Sequence, residues 1–414
     1  MKVLILGGGP AGCVAAYFLK KKGVSDITIV EQREIGGLVR TKFYQKIPYE
    51  FGPQIMYTDE PCLKEVFEEF LTQHKPPSPD GKYHPGLSVD GTVDSNSLHD
   101  FPITIHNILK LPEPEKVIFE LYNVNLEKPD FSNFENYVIS RIGKILYEMY
   151  VKNYNIKQWK MHPKDMDAEW AKFRNLSLKP KSSGMFGDKW QGHPGNFSPM
   201  WEGMTKGVNI INGKAKLSED LKKIMVDGDE ISGDLIVSTI PLSERLEFIN
   251  TTKVYVAVKS EAFVLPTYIV SFPNHYNFTR IMEYKQQFYV DSEYSLLDYA
   301  FPWKDGCRED AYVEEASFYT TSVLKKEIVD IWYDTRTHIY PVSTKRNLDI
   351  VDEKIEEISY TNIIPMGRMG IHAYVSKDTC IRMGFIMSDN WDVLLNGSPV
   401  EKKKVLKKMR EKLT

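Results

Sequence analysis

The spacing Gly7, Gly9 and Gly12, set between two short apolar runs, constrains this chain more than any other stretch. Lys2 to Leu6 is apolar and branched, which reads as a strand buried on both faces of a parallel sheet. It runs straight into the glycines, and Cys13 to Leu19 then reads as a helix. A second strand, Asp26 to Val30, ends in the acid Glu31, 19 residues past Gly12. Strand, glycines, helix, strand and acid in this order point to a bound dinucleotide. Glycines permit the tight turn and let the backbone approach a pyrophosphate, which rests on the helix N-terminus. The acid accepts from the ribose hydroxyls. Gly7, Gly9, Pro10, Ala11, Gly12 and Glu31 are therefore candidate cofactor contacts. The stretch reads against a secretory leader, because the glycines and Pro10 interrupt the apolar run and one Lys precedes it.

Length and charge narrow the classes. A chain of 414 residues can hold two or three domains with sizeable cores. With 42% apolar and 26% charged residues it reads as an ordinary globular protein. A net charge of −3 gives no electrostatic case for a nucleic-acid partner. Cys13, Cys62, Cys307 and Cys380 lack metal or redox spacing and suit a reducing compartment, so no metal and a cytoplasmic location are expected. No apolar run reaches the roughly 18 residues a membrane span needs.

Along the chain, Tyr49 to Asp59 reads as a loop with a rigid Gly-Pro step, and Cys62 to Leu71 as a helix. His74 to Gly86, with four prolines, reads as a connector. Val89 to Val93 suggests a small hairpin, and Phe101 to Asn107 a strand running into a loop. From Pro112 to Phe173 the pattern is helical. Phe134, Val138, Ile142, Ile145 and Met149 share one face, and Asp130, Ser132 or Asn133 could cap that helix. His162 to Arg174 reads as a shorter helix, and Asn175 to Trp190 as a long exposed loop with Arg174 at its root. Strands are expected at Val208 to Ile211 and Asp234 to Pro241, and short alternating strands of an antiparallel sheet from about 250 to 342. Ile363 to Gly370 reads as a strand leading to a glycine turn, Asp378 to Trp391 as a helix, and Glu401 to Leu413 as a Lys-rich amphipathic helix, either solvated or facing an anionic partner.

The arm Glu31 to Gly37, an acid followed by Gly-Gly, resembles the FAD-binding arm of amine oxidases and nucleotide-sugar mutases. Over nearly its full length the chain resembles the UDP-galactopyranose mutase family. The residues that carry this are Gly52 to Asp59, Phe101 to His106, Tyr154 to Trp159, Gln191 to Pro194, Phe278 to Glu283, Ile339 to Pro341, and Gly367 to Gly370 followed by Tyr374. The resemblance implies an α/β fold, with a discontinuous Rossmann-like FAD-binding domain, an inserted helical domain and an antiparallel β-sheet domain. Residues 1–75, 203–245 and 358–414 would form the first. Residues 108–190 would form the second, with a mobile loop at about 174–190. Residues 76–107, 191–202 and 246–357 would form the third.

The resemblance also implies an isomerase, an intramolecular transferase that interconverts pyranose and furanose forms of a UDP-sugar with no net redox change. In that family N5 of reduced FAD attacks the anomeric carbon, UDP departs, and the covalent adduct opens and recloses the ring. This is nucleophilic catalysis by the cofactor. NAD(P)H or another reductant would activate the FAD. A departing pyrophosphate calls for arginine, always charged and able to bond phosphate through two donors. Arg174 and Arg280 match the family pair that does this. Tyr154 and Trp159 match residues flanking the uracil, and Tyr340 and Tyr374 match tyrosines on the phosphates. Arg368 matches an arginine at the flavin ring, and His106 a histidine near the sugar. Cofactor contacts would extend to Gln32, Arg33, Gly37, Leu38, Gln54, Ile55, Arg368 and Ser376. A homodimer or higher homo-oligomer is expected.

Several positions depart from the family pattern. Gln54 and Tyr57 replace histidines, Met185 a phosphate-binding tyrosine, Val270 an asparagine that reads a sugar hydroxyl, and Ser376 an aspartate. The phosphate clamp is kept while sugar-reading positions change, which suggests UDP-galactose or a UDP-pentose such as UDP-arabinose as substrate. The competing readings are an FAD-dependent amine oxidase-like oxidoreductase sharing the first domain, and a non-catalytic nucleotide-sugar or FAD-binding protein.

Overall fold

The computed structural model describes residues 1–58, 60–70, 86–89, 98–101, 105–111, 113–124, 128–168 and 190–411. The first layer is a five-stranded, all-parallel sheet in the order Ile363–Pro365, Leu235–Ser238, Lys2–Leu6, Asp26–Glu31, Asn209–Asn212. The opening strand lies at its centre, and Val3, Leu4, Ile5 and Leu6 are all at most 1% exposed. A strand buried on both faces must be apolar throughout, and each such side chain contributes about 1.5–3 kcal/mol. The helix Pro10–Lys21 crosses this sheet and packs tightly on the helix Lys377–Asp389. A Cβ at Gly384 would meet the Phe18 ring at 2.4 Å, so glycine sets that approach.

A seven-stranded sheet forms the second layer, in the order Ile328–Pro341, Phe248–Lys259, Tyr294–Trp303, Arg280–Glu283, Ile269–Ser271, Gly86–Val89, Leu98–Phe101. The sequence reading expects it to be antiparallel. It is so except at one junction, where Ile269–Ser271 runs parallel to Gly86–Val89. Strands nearly two hundred residues apart meet there, and no turn dictates their direction. The helix Lys345–Ser359 lies, up to residue 357, within the segment assigned above to this sheet. Its buried Ile350, Val351 and Ile355 instead join the core of the parallel sheet, together with Ile358. A three-stranded meander, Ala215–Leu217, Ile224–Val226 and Asp229–Ile231, was not anticipated.

The helical region follows its periodicity up to a point. Asn133 is the cap, its side chain accepting from the Asn136 N–H, and Phe134, Val138 and Ile142 are buried. The helix does not continue to Met149, because Gly143 turns at φ 82°. Leu146, Tyr147 and Tyr150 then take over the buried face, and the helix Asn153–Trp159 follows. The helix expected from His162 is, in its described part, a single 3-10 turn, Pro163–Asp165. His162 caps that turn, its side chain accepting from the Lys164 N–H. The Pro-rich connector from His74, the tip of the Val89 hairpin and the Asn175 loop lie outside the described residues.

Candidate functional site

The fingerprint turn is built from close approaches. Gly7 adopts φ +101° and donates its N–H to Val30 O at 2.9 Å. A Cβ at Gly12 would stand 2.0 Å from Gly7 O, so that position admits glycine only. A Cβ at Gly9 would meet no atom of the described residues within 4 Å, which leaves the start of the helix open to a ligand on that side. No side chain caps that helix, and Pro10 opens it. Its first-turn N–H groups and dipole are therefore available to an anion. The Glu31 carboxylate accepts from Gly8 N at 2.6 Å and Arg33 N at 2.8 Å. The second glycine pair folds back onto the first. Gly36 N donates to Gly8 O at 2.8 Å, and a Cβ at Gly37 would lie 3.2 Å from Gly9 Cα. Gly367 packs on the same helix, where a Cβ would be 2.5 Å from Ala11 Cβ. Gln32 is exposed, Leu38 and Ile55 are half-buried, and Arg33 pairs with Asp334 at 3.6 Å.

Arg368 follows Gly367 directly. Its guanidinium donates to Ile339 O at 3.1 Å and to Val375 O at 2.9 Å, and so ties two neighbouring segments together. It lies 4.5 Å from the centre of the Tyr374 ring and 5.4 Å from that of Tyr340. Those two rings are nearly parallel, with centres 5.9 Å apart. Trp159 meets Tyr340 edge-on at 5.8 Å and donates its indole N–H to Asn155 at 3.1 Å. At 2% exposure Trp159 backs Tyr340 and presents no open face, whereas Tyr154 is half-buried.

Arg280 stands at the start of its strand beside these aromatics. Burial works against its charge, but the phenols of Tyr340 and Tyr154 and the Asp298 carboxylate hold it more firmly protonated than usual. Its Nε is buried with no hydrogen-bond partner among the described residues. Burial pushes the Tyr340 phenol upward, the Arg280 charge opposing, so that phenol is a donor near neutral pH. Behind Arg280, Lys253 and Asp298 form an ion pair at 2.9 Å, 1% and 0% exposed. Burial pulls Lys253 down to about 8 against the pull of Asp298. Tyr268 also faces Arg280, and burial pushes its phenol up to about 12. Gly52, at φ +93°, lets the chain pass this pair, since a Cβ there would lie 3.1 Å from Arg280 Nη2.

Gln54 accepts from Lys377 Nζ at 3.1 Å. Ser376 spends its hydroxyl on Asp378 and Thr379. Sequence reasoning missed Lys377, Lys253, Asp298 and Tyr268, none of which sits in a motif. It quoted His193 without a role. His193 accepts from Gly195 N through Nδ1, so Nε2 carries the proton and donates to the Glu50 carboxylate at 3.1 Å.

The fold therefore gathers Gly7, Gly9, Pro10, Ala11, Gly12, Glu31 and Gly37 at one turn, and Arg280, Tyr340, Tyr374, Arg368, Tyr154 and Trp159 in one cluster. Arg174 and Met185 lie outside the described residues. His106 falls in the helical turn Ile105–Ile108, and its side chain is outside them too. Val270 is not in the cluster. It is 3% exposed and packs into the far-side core with Phe272 and Phe278, while Ser271 pairs with Arg280 across the strands. An open, uncapped helix start and a guanidinium with an orphaned buried Nε fit a dinucleotide and a second phosphate-bearing ligand. Among the described residues, no group of His, Cys, Asp and Glu could hold a metal, and no helix is long and apolar enough to cross a membrane.

The chain is similar to known proteins in sequence and in fold. Residues 5–70 match the NAD(P)-binding Rossmann-like domain, and residues 149–317 match the UDP-galactopyranose mutase family. The chain is 22% identical over 404 residues to a probable UDP-galactopyranose mutase of Klebsiella pneumoniae, covering 94% of each chain. It is 22% identical over 393 residues to dTDP-fucopyranose mutase of Escherichia coli, covering 92% of this chain and 96% of that one. Its fold matches that of reduced UDP-galactopyranose mutase with a TM-score of 0.78 at 17% identity, covering 97% of this chain and 98% of the other. A putrescine oxidase matches less well, with a TM-score of 0.57 at 14% identity, covering 94% and 98%.

Proposed function

Taking resemblance to the UDP-galactopyranose mutase family as the premise, we propose that this chain is an intramolecular transferase. It interconverts the pyranose and furanose forms of a nucleotide sugar. The observation that carries this reading is Arg280, a guanidinium kept charged by its neighbours and left with an unpartnered buried Nε. A buried donor without a partner costs about 1–3 kcal/mol, which a phosphate oxygen would recover. The division into FAD-binding, helical and sheet domains stated above is part of the same proposal.

The dinucleotide is FAD, held by Gly7, Gly9 and Gly12 at the pyrophosphate, Glu31 at the ribose, and the Gly37 arm. In its reduced form FAD supplies covalent nucleophilic catalysis without net redox change, and NAD(P)H or another reductant prepares that form. Arg280 binds the departing pyrophosphate, and Tyr340 and Tyr374 present phenolic donors to its oxygens. Arg368 keeps those two rings aligned. Tyr154 lies against the uracil, a contact worth about 1–3 kcal/mol. Arg174 completes the clamp, and His106 approaches the sugar. The substrate is UDP-galactose or a UDP-pentose such as UDP-arabinose.

The test is chromatography of UDP-galactose and UDP-arabinopyranose incubated with dithionite-reduced protein. Conversion to the furanose with no consumption of reductant is expected. Stoichiometric consumption of reductant or oxygen, with no ring isomer formed, would establish the oxidoreductase reading instead.

A further inference from the structure

Lys377 is 7% exposed, yet its ammonium has no carboxylate within ion-pair distance among the described residues. Its one hydrogen-bond partner among them is the neutral Gln54, at 3.1 Å. It also lies 5.0 Å from the centre of the Phe197 ring. The acids closest to hand are engaged elsewhere. Glu50 is bonded to His193 and Thr41, and Asp378 to Ser376. Burial pulls Lys377 down to about 8, with Glu50 and Asp378 opposing and Arg368 adding to the fall. A buried ammonium with spare donors is expensive unless an electron-rich group meets it. The surroundings indicate which group. Gln54 belongs to the stretch that passes Arg280 at Gly52. Arg368, which also acts on Lys377, follows the glycine that packs on Ala11 at the fingerprint helix. Through Gln54 and Arg368, Lys377 is thus linked to the segments that carry the dinucleotide turn and the arginine–tyrosine cluster.

We infer that Lys377, oriented by Gln54, is a positioning residue for the cofactor. Its ammonium supplies positive charge to the redox ring when that ring holds added electrons. Two-electron reduction of a flavin leaves an electron-rich, readily anionic ring, and nearby charge tunes it. The inference rests on the FAD reading above. It also explains how Gln54, which cannot become charged, can stand where a histidine is usual: the cation has moved to Lys377.

The experiment compares wild type, Lys377→Met, Lys377→Gln and Lys377→Arg for affinity to oxidised and reduced FAD and for the midpoint potential of the bound flavin. In Lys377→Met, binding of reduced FAD is expected to weaken about tenfold more than binding of oxidised FAD. That ratio corresponds to a fall of about 30 mV for a two-electron couple. Lys377→Arg should restore most of it. Lys377→Gln keeps a polar head for Gln54 and serves if the Met variant fails to fold. Equal weakening of both redox forms would place the charge at the pyrophosphate, and an unchanged ratio would make Lys377 a packing residue. Either result overturns the inference. Wild-type turnover of UDP-sugars is scored separately. If turnover is present and the ratio unmoved, the inference alone fails. If flavin binds and the ratio moves without turnover, the mutase reading alone fails. A wild type unable to bind flavin ends both.

Discussion

Ser271 and Arg280 stand directly opposite each other on adjacent antiparallel strands, so their side chains share one face of the sheet. Val270 and its partner Ile281 point to the other face, into a core with Val254, Val256 and Phe278. A one-residue change of register reverses which side chain a strand offers to a ligand. The hydroxyl beside Arg280, the arginine proposed to bind phosphate, is therefore that of Ser271. Ser271→Ala is expected to raise KM for the sugar nucleotide about threefold to tenfold, the range of one lost hydrogen bond, with a smaller effect on kcat. Val270→Asn should instead destabilise the fold by about 1–3 kcal/mol through a buried amide, read as a lower denaturation midpoint. Reversed outcomes would mean the register is wrong.

Two glycines of the fingerprint should respond differently to the same methyl group. At Gly12 it would collide with Gly7 O at 2.0 Å, so Gly12→Ala is expected to lower both Tm and FAD affinity. At Gly9 it meets no atom of the described residues within 4 Å, so Gly9→Ala should keep its Tm and lose FAD affinity alone. Thermal unfolding of the apo forms and flavin fluorescence titration separate the two.

Arg280 carries the phosphate in the proposed reaction, and its fork geometry matters as well as its charge. Arg280→Lys is expected to lose about 10²-fold in kcat/KM and Arg280→Ala up to about 10³-fold, comparable with removing a preorganised donor. Flavin content should be unchanged in both. Steady-state kinetics with full activity in Arg280→Ala would remove the residue from the site.

His372 should make the fold sensitive to acid. It is 4% exposed, and its Nε2–H donates to Val342 O at 3.1 Å. Burial lowers it from its ordinary 6.5 to about 4. Because the folded value is depressed, the unfolded chain binds the proton first. The stability this group contributes is full above about 6.5 and is lost as pH falls from there to about 4, a loss of roughly 3 kcal/mol at most. Urea unfolding of wild type and His372→Phe across pH 4 to 7 checks it, and the variant should show the shallower decline.

What the sequence by itself determined is local. The glycine turn, its flanking strands, the acid Glu31, a capped helix start among Asp130, Ser132 and Asn133, and the strand before Gly367 all follow from spacing and residue type over a few residues. The structure keeps each of them. The aromatic and arginine members of the cluster were legible because their motifs resemble those of a family. Tertiary structure alone decided which face each strand presents, and hence Ser271 over Val270. It alone brought Gly86–Val89 beside Ile269–Ser271 in parallel. It also set the helix Lys345–Ser359 against the parallel sheet and left Lys377 buried beside Gln54. The physical reason is range. Turns and caps are settled by neighbours in the chain, whereas pairing register and the burial of a charge depend on segments that meet only when the whole chain packs.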